Sequence, residues 1–242
     1  MSQESIGCGQ FVEDDFEFMR SANKLMFAHG TLSWWAGFLG NGSDIACYSK
    51  WRGGKNINLA WVPADGWRHW GPATAPQHET KQYHLRTLAN KYGLRYFVET
   101  GTRGGAMLKA LRNEFDMMYS VEIIRAAYEK IQSRLKNVNN AKLFLGDSAV
   151  LMPRMIKLLG DNNALFWLDA HDNRNSTPIL DELTAILPTK QDHVIVIDDL
   201  RYFGTEVAYP SEEKIRNLVL SRQPGAYIDT QFDSIRIFCN GK

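Results

Sequence analysis

The sequence has few cysteines, no long apolar run and almost no excess of charge. Its three cysteines, at positions 8, 47 and 239, show neither CxxC spacing nor an even-numbered disulfide framework, which predicts reduced thiols in a cytoplasmic protein. The longest apolar stretch, near Trp34, is far shorter than the roughly 20 residues that cross a bilayer, and the sequence before it has no signal-peptide pattern. With 28 basic and 27 acidic side chains, the charge balance favours neither a nucleic-acid partner nor a membrane surface.

Tryptophan and glycine are abundant near the beginning of the chain. Six of the seven tryptophans lie before residue 72, and the stretch GPATAP, typical of a linker, follows them. A chain of 242 residues allows one domain of ordinary size and a smaller segment. We therefore predict a Trp-rich segment over residues 1–72, a linker and helix over 73–93, and one larger domain over 94–242.

Strand-like and helix-like runs alternate from residue 94 onwards. Apolar runs predict strands at 94–100, 117–122, 141–146, 164–170 and 193–198, and a stretch of helical length follows each of them. The last segment has the pattern of two strands that turn at Asp233 and Ser234. Together these runs predict an α/β fold with a Rossmann-like, mostly parallel sheet, helices on both faces and an antiparallel C-terminal hairpin.

The first predicted strand ends in a glycine-rich turn. Open α/β sheets bind their ligands beyond the carboxyl ends of the strands, so this turn is a candidate site. Gly101, Gly104 and Gly105 allow a ligand to approach backbone N–H groups at the start of a helix. Glu122 ends the second strand, 21 positions after Gly101, where a carboxylate suits the two hydroxyls of a ribose.

The third predicted strand is followed by Asp147 and Ser148. A carboxylate or hydroxyl oxygen at that position can accept a hydrogen bond from the amino group of adenine. Each of these features alone also has a structural explanation, because glycine turns and strand-end acids are common in loops and helix caps. Their occurrence after three successive strands favours a nucleoside-type ligand.

A group of acids follows the fourth and fifth predicted strands. Asp169 and His171 follow the fourth, and Asp198 and Asp199 follow the fifth. Because adjacent parallel strands place these ends side by side, the three carboxylates suit a divalent cation such as Mg²⁺, which would hold acceptor oxygens. His171 is the candidate general base, since imidazole titrates near neutral pH. The alternative is structural, because strand-end aspartates also cap helices and bind loop amides.

The motifs ETGTRGG, YSVE and LFLGDS resemble the successive motifs of class I S-adenosylmethionine (SAM)-dependent methyltransferases. The chain from about Tyr96 to Phe238 is similar throughout to one bacterial group of these domains, with FWLDAH, TPILDELTAI, HVIVIDDLRYFG and DSIRIF as further shared features. The resemblance implies a seven-stranded sheet and SAM as methyl donor. A dinucleotide-binding Rossmann domain, the nearest rival, would have GxGxxG instead. By resemblance, the donor-binding residues are Glu99, Gly101, Thr102, Gly104, Gly105, Glu122, Asp147 and Ser148.

Two further resemblances concern the acceptor. The acids and the pair Ser176-Thr177 are similar to macrocin-type, metal-dependent sugar O-methyltransferases, although His171 stands where those enzymes have an aspartate. Residues 11–71 resemble the C-terminal end of α-1,2-fucosyltransferase-like glycosyltransferases, mainly through HGTLSWW at 29–35, but the upstream HxRRGD motif is absent. We therefore predict O-methylation of a small-molecule or glycan acceptor. The alternatives are a non-catalytic glycan- or partner-binding module with a vestigial methyltransferase fold, and a glycosyltransferase remnant.

Overall fold

The chain divides into two compact units, residues 1–74 and 75–242. The computed structural model describes residues 12–27, 32, 35–36, 39–40, 44–48, 67–70, 78–171 and 176–239. Within these residues, no helix is long and apolar enough to cross a bilayer.

The first unit contains a small parallel sheet. A helix, α1 (Val12–Ser21), precedes three strands, β1 (Lys24–Phe27), β2 (Asp44–Tyr48) and β3 (Trp67–Trp70). The strands pair in the order β1-β2-β3, and both pairs are parallel. Of the fucosyltransferase-like stretch at 29–35, only Leu32 and Trp35 lie among the described residues, so the structure does not bear on that resemblance.

The second unit alternates helices and strands as the sequence predicts. Its strands are β4 (Tyr96–Thr100), β5 (Met117–Glu122), β6 (Ala141–Leu145), β7 (Ala164–Leu168), β8 (Val194–Ile197), β9 (Tyr227–Gln231) and β10 (Ser234–Phe238). Its helices are α2 (His78–Tyr92), α3 (Ala106–Leu111), α4 (Arg125–Arg134), α5 (Ser148–Leu159), α6 (Ile179–Ile186) and α7 (Glu212–Arg222), with a 3₁₀ turn at Leu200–Tyr202.

The seven strands form one sheet in the order β6-β5-β4-β7-β8-β10-β9. All pairs among β4 to β8 are parallel, and β10 runs antiparallel to both β8 and β9. The prediction of a mostly parallel sheet with an antiparallel C-terminal hairpin is confirmed. The strand order reverses between β4 and β7, which makes their carboxyl ends the topological switch point of the sheet.

Consecutive residues of the central strands face two different cores. Phe97 and Leu165 pack with α2 and α3, whereas Val98 and Phe166 pack with α5, α6 and α7. All five residues of β7 are buried. Burial on both faces explains why the strands are almost continuously apolar in sequence.

The C-terminal hairpin turns one residue earlier than the sequence predicts. Ser234 already pairs with Gln231, so the turn consists of Phe232 and Asp233, with φ of +50° and +60°. Two successive positive φ values are typical of a type I′ turn, whose twist matches that of the flanking strands. The carbonyl of Asp233 accepts a hydrogen bond from Leu200 N at 2.8 Å, so the loop after β8 holds this turn in place. The sequence prediction of Asp233 and Ser234 is therefore wrong by one position.

Candidate functional site

The loops that follow β4 to β8 meet along one edge of the sheet, which we call the carboxyl edge. The N–H of Gly146, after β6, donates to the carbonyl of Glu122 at 3.0 Å. The N–H of Arg103, after β4, donates to Oε2 of the same Glu122 at 2.8 Å. On the other side, Asp169 N donates to the carbonyl of Thr100 at 3.2 Å. Hydrogen bonds between these loops therefore connect the predicted donor-binding residues with Asp169.

The three glycines of the turn after β4 have different roles. Gly101 has φ +78°, and a Cβ there would lie 2.6 Å from the carbonyl oxygen of Asp169. Gly105 has φ +72°, and a Cβ there would lie 3.0 Å from Cγ2 of Ile131. Among the described residues, a Cβ on Gly104 would meet only Nη1 of Arg134, at the ordinary van der Waals distance of 3.8 Å. Gly101 and Gly105 are thus required by the fold, whereas at Gly104 only the end of a flexible side chain lies nearby, so a ligand can approach the backbone there.

Glu122 is a buried carboxylate at the end of β5. Its oxygens accept hydrogen bonds from the N–H groups of Arg103 and Ile124, at 2.8 and 2.9 Å. These bonds fix the carboxylate beside the glycine turn. Each oxygen keeps a second lone pair, which can accept a hydrogen bond from a ligand hydroxyl.

Asp147 and Ser148 point in different directions. Asp147 is exposed and caps α5, with its carboxylate accepting from Ala149 N at 2.9 Å. Ser148 is 4% exposed, and its hydroxyl lies beside the buried carboxyl of Glu182. The Asp147 carboxylate can therefore reach a ligand at this edge, whereas the Ser148 side chain points into the interior of the unit.

Thr102 and Glu99 belong to a buried hydrogen-bond chain. The carboxyl of Glu99 contacts the Ser120 hydroxyl at 2.5 Å, and that hydroxyl lies 2.6 Å from Oγ1 of Thr102. Oγ1 of Thr102 in turn donates to the carbonyl of Val121 at 3.0 Å. Burial raises the pKa of Glu99 to about 8, and the charge of Glu122 raises it further, while the Ser120 hydrogen bond opposes the rise. Ser120 donates to Oε2 of Glu99, and Thr102 donates to the carbonyl of Val121, so each of these buried polar side chains has a hydrogen-bond partner.

Exposed apolar side chains, which were not predicted as site residues, flank these polar groups in the chain. Ile123 and Ile124, directly after Glu122, are 43% and 61% exposed, and Val150 in the first turn of α5 is 74% exposed. Ligand sites typically combine apolar surface with a few fixed polar groups. Two isoleucines directly after Glu122, the acid that ends β5, could have predicted this apolar surface from the sequence.

Asp169 lies half-buried at the end of β7, next to the other acids. Burial is the main cause that raises its pKa to about 8, and the carboxylates of Asp198, Asp199 and Glu99 raise it further, while the Lys81 ammonium opposes the rise. A carboxylate with a raised pKa binds a proton more strongly than an ordinary aspartate. This property suits a general base near neutral pH.

His171 is exposed and lies close to two of the acids. One ligand atom from each of Asp169, His171 and Asp199 lies within 4.8 Å of the others. The structure therefore brings the predicted base next to the predicted acidic cluster. Residues 172–175, which follow it, lie outside the described part of the chain.

Two of the three predicted metal ligands already contact cationic side chains. Lys81 Nζ donates to Oδ2 of Asp198, and Nη2 of Arg201 lies 2.9 Å from Oδ1 of Asp199. Asp198, Asp199 and Asp233 form a second group of acids whose ligand atoms lie within 4.8 Å of one another. All three of these acids also contact Lys81 or Arg201, since Arg201 binds Asp233 as well as Asp199. A divalent cation bound to these carboxylates would lie close to the positive charges of Lys81 and Arg201, which would repel it. In this arrangement of side chains, the predicted ligand set therefore does not fit a divalent cation.

A pair of aromatic rings lies beside the acids. The rings of Tyr202 and Tyr209 are 5.4 Å apart, and the Arg201 guanidinium lies 4.2 Å from the centre of the Tyr202 ring. Burial raises the pKa of Tyr209, and the charges of Asp199 and Asp169 raise it further. Both tyrosines are partly exposed, so they offer a flat surface next to the acidic cluster.

Comparison with known proteins identifies the fold. No family model matches the chain, and no curated protein matches it either. The O-methyltransferase TomG from Streptomyces achromogenes, involved in tomaymycin synthesis and solved in complex with SAM, superposes with a TM-score of 0.51 at 16% identity, over 69% of this chain and 82% of its own. The methyltransferase PaMTH1 from Podospora anserina, bound to SAH, superposes with a TM-score of 0.51 at 13% identity, over 69% and 81%.

The fold is that of the Rossmann-like methyltransferases. Within this fold, Lys81 and Asp233 lie next to Asp198 and Asp199, although neither was predicted as a site residue. Lys81 lies 117 positions from its partner Asp198, and Asp233 approaches through a hairpin turn. Neither contact has a local sequence signal, because each depends on the order of strands in the sheet.

Proposed function

We propose that the protein is a SAM-dependent methyltransferase that methylates a hydroxyl oxygen of a small-molecule acceptor. The main support is the position of Glu122, a buried carboxylate fixed beside the glycine turn at the carboxyl edge. The fold supports the same class of reaction, since O-methyltransferases are among the solved structures with this fold. Fold alone does not determine function, so the proposal depends on the residues at the carboxyl edge.

The donor site consists of four features along the edge. At Gly104 only the flexible Arg134 side chain lies near the position of a Cβ, so a ligand can approach the backbone, and Glu122 can accept from the ribose hydroxyls. Asp147 can accept from the adenine amino group, with Ile123 and Val150 as apolar surface nearby in the chain. Glu122 and Asp147 match the ribose and the adenine of an adenosine, which supports SAM over a ligand without a nucleoside.

The acceptor would bind at the ends of β7 and β8. When bound, SAM supplies a methyl group on a positively charged sulfonium. In this proposal Asp169 takes the proton of the acceptor hydroxyl, and His171 is the alternative base. Because the charge of the donor is neutralised during transfer, we expect positioning of the acceptor by these residues to supply much of the catalysis.

Fewer observations support the class of the acceptor than support SAM as the methyl donor. A sugar or glycan acceptor remains a prediction that depends on the sequence resemblances. The Tyr202 and Tyr209 rings are compatible with it, since aromatic faces stack on sugar rings as well as on aromatic ones. We therefore keep a ring-bearing alcohol or phenol as the acceptor class to test first.

The deciding experiment is calorimetric titration with SAM and SAH. We expect wild-type protein to bind both with micromolar affinity, and a Glu122→Ala, Asp147→Ala double variant to bind at least about tenfold more weakly, because it loses hydrogen bonds to charged groups. Asp116→Ala is the matched control. It removes an exposed carboxylate that pairs with Arg95 before β5, away from the carboxyl edge.

The outcomes separate the candidate functions. Binding of SAM that is lost in the double variant and kept in the control supports the donor site, and SAH release with a panel of sugars and phenols then identifies the acceptor. If the folded wild-type protein binds neither SAM nor SAH, the methyltransferase proposal is wrong. In that case the non-catalytic binding module becomes the better hypothesis.

A further inference from the structure

Lys81 is distant from the acids in sequence but contacts them in the structure. Its Nζ donates a hydrogen bond to Oδ2 of Asp198 and lies 3.9 Å from Oδ1 of Asp199. The side chain of Lys81 is 16% exposed and that of Asp198 only 1%. Removing one partner of such a buried pair leaves an uncompensated charge, so the pair holds both side chains in place.

An aromatic ring holds the lysine from another direction. Nζ of Lys81 lies 5.7 Å from the centre of the Trp167 ring, within the range of a cation–π interaction. Trp167 belongs to β7 and is 2% exposed, so its position is fixed by the core. Helix α2 packs against β7, which brings Lys81 to this point.

The acids at the end of β8 are thus balanced by side chains of the chain itself. Lys81 binds Asp198, and Arg201 binds both Asp199, at 2.9 Å, and Asp233. Oδ1 of Asp198 is buried and has no hydrogen-bond partner among the described residues. One carboxylate oxygen therefore remains available next to the ammonium group.

We propose that the ammonium group of Lys81 takes the place of a divalent ion at the carboxyl edge. In this role it positions Asp198 and Asp199. The site then orients an acceptor hydroxyl without a metal. The role in orienting an acceptor rests on the methyltransferase proposal. The exclusion of a divalent cation does not, because it depends only on side chains of the protein. Without the ammonium group, the same acids become a site for a divalent cation.

The experiment measures metal binding in the absence of SAM. Mn²⁺ binding is followed by electron paramagnetic resonance, and Tb³⁺ binding by luminescence sensitised through Trp167. We expect wild-type protein to show no saturable Mn²⁺ binding in the micromolar range. Lys81→Met should bind Mn²⁺ at least about tenfold more tightly than wild type, because a positive charge within a few ångströms has been removed. The gain should disappear in Lys81→Met, Asp198→Asn.

Lys91→Met is the matched control. Lys91 lies on the same helix, and its Nζ is 5.4 Å from the ring of Tyr92, but it is outside the acidic cluster. This variant should bind Mn²⁺ as wild type does. If Lys81→Met does not unfold cooperatively, Lys81→Gln replaces it in the same measurement.

Two results would overturn the proposal. One is micromolar Mn²⁺ binding by the wild type that Asp198→Asn abolishes, since the lysine would then not exclude a metal. The other is an unchanged Mn²⁺ affinity when a folded Lys81 variant is compared with wild type. SAM binding, measured separately by calorimetry, is independent of both results, so failure of this inference is distinguishable from failure of the methyltransferase proposal.

Discussion

A Cβ atom on Gly101 would lie 2.6 Å from the carbonyl oxygen of Asp169. The two residues follow neighbouring strands, β4 and β7, at the switch point of the sheet. The missing side chain of Gly101 thus allows the donor turn and the acceptor loop to touch. This contact makes a testable difference between Gly101 and Gly104, which lie in the same turn.

Gly101→Ala should destabilise the protein, and Gly104→Ala should not. The first adds a Cβ at φ +78° and against backbone atoms, and the left-handed conformation alone costs about 1–2 kcal/mol. The second adds a Cβ at ordinary van der Waals distance from the flexible end of Arg134, so the melting temperature of Gly104→Ala should stay close to that of the wild type, while its affinity for SAM should fall. Thermal unfolding and calorimetry of both variants test this. Equal melting temperatures would contradict the steric role of Gly101.

The choice of general base can be tested at Asp169 and His171. Asp169→Asn should lower kcat by about 10²–10⁴-fold with SAM affinity nearly unchanged, which is the usual contribution of a general base. If Asp169 is the base, wild-type kcat should rise with pH up to about 8, because burial and neighbouring acids raise the pKa of Asp169 to about 8 and the base must lose its proton.

His171→Ala is the companion variant. If its kcat falls as far as that of Asp169→Asn, while the pH profile of the remaining activity flattens, the imidazole is the base. A loss of less than about tenfold would leave His171 with a positioning role. Loss of SAM binding in either variant would place that residue in the donor site instead.

Glu182 provides a prediction about stability and pH. Its carboxyl is fully buried, and neither oxygen has a hydrogen bond of normal geometry to any residue that the structure describes. Burial raises the pKa of Glu182 to about 7, and the hydroxyls of Ser148 and Thr100 partly offset the rise. Below the pKa of the unfolded chain, this carboxyl is protonated in both states. As pH rises towards 7, the unfolded state ionises first, so the contribution of Glu182 to stability falls.

Glu182→Gln should remove this loss. Relative to wild type, the variant should gain up to about 3 kcal/mol in the free energy of unfolding between pH 5 and pH 8. Urea unfolding at both pH values measures it, with Glu129→Gln on the exposed side of α4 as control. A variant whose pH dependence equals that of the wild type would contradict the raised pKa of the buried Glu182 carboxyl.

Much of the second unit could be predicted because its signals are local. The run Met117–Glu122 forms a strand with the predicted bounds, since an apolar stretch that is buried on both faces has no competing helical pattern. The positions of Glu122 and Asp147 after successive strands were also predictable, because parallel strands end at the same edge. The hairpin turn was misplaced by one residue, because Phe232 has no turn propensity and adopts positive φ within the turn that Leu200 holds.

The sequence by itself determined the alternation of strands and helices, the glycine turn and the acids at each strand end. These depend on residues close together in the chain, whose hydrophobic pattern and backbone freedom act locally. Only the tertiary structure decided that Lys81 meets Asp198, that Thr102 and Ser148 face the interior, and that Gly104, unlike Gly101, has room for a Cβ. Those outcomes depend on which helix packs against which strand, and the free energy of that packing is shared among residues throughout the unit.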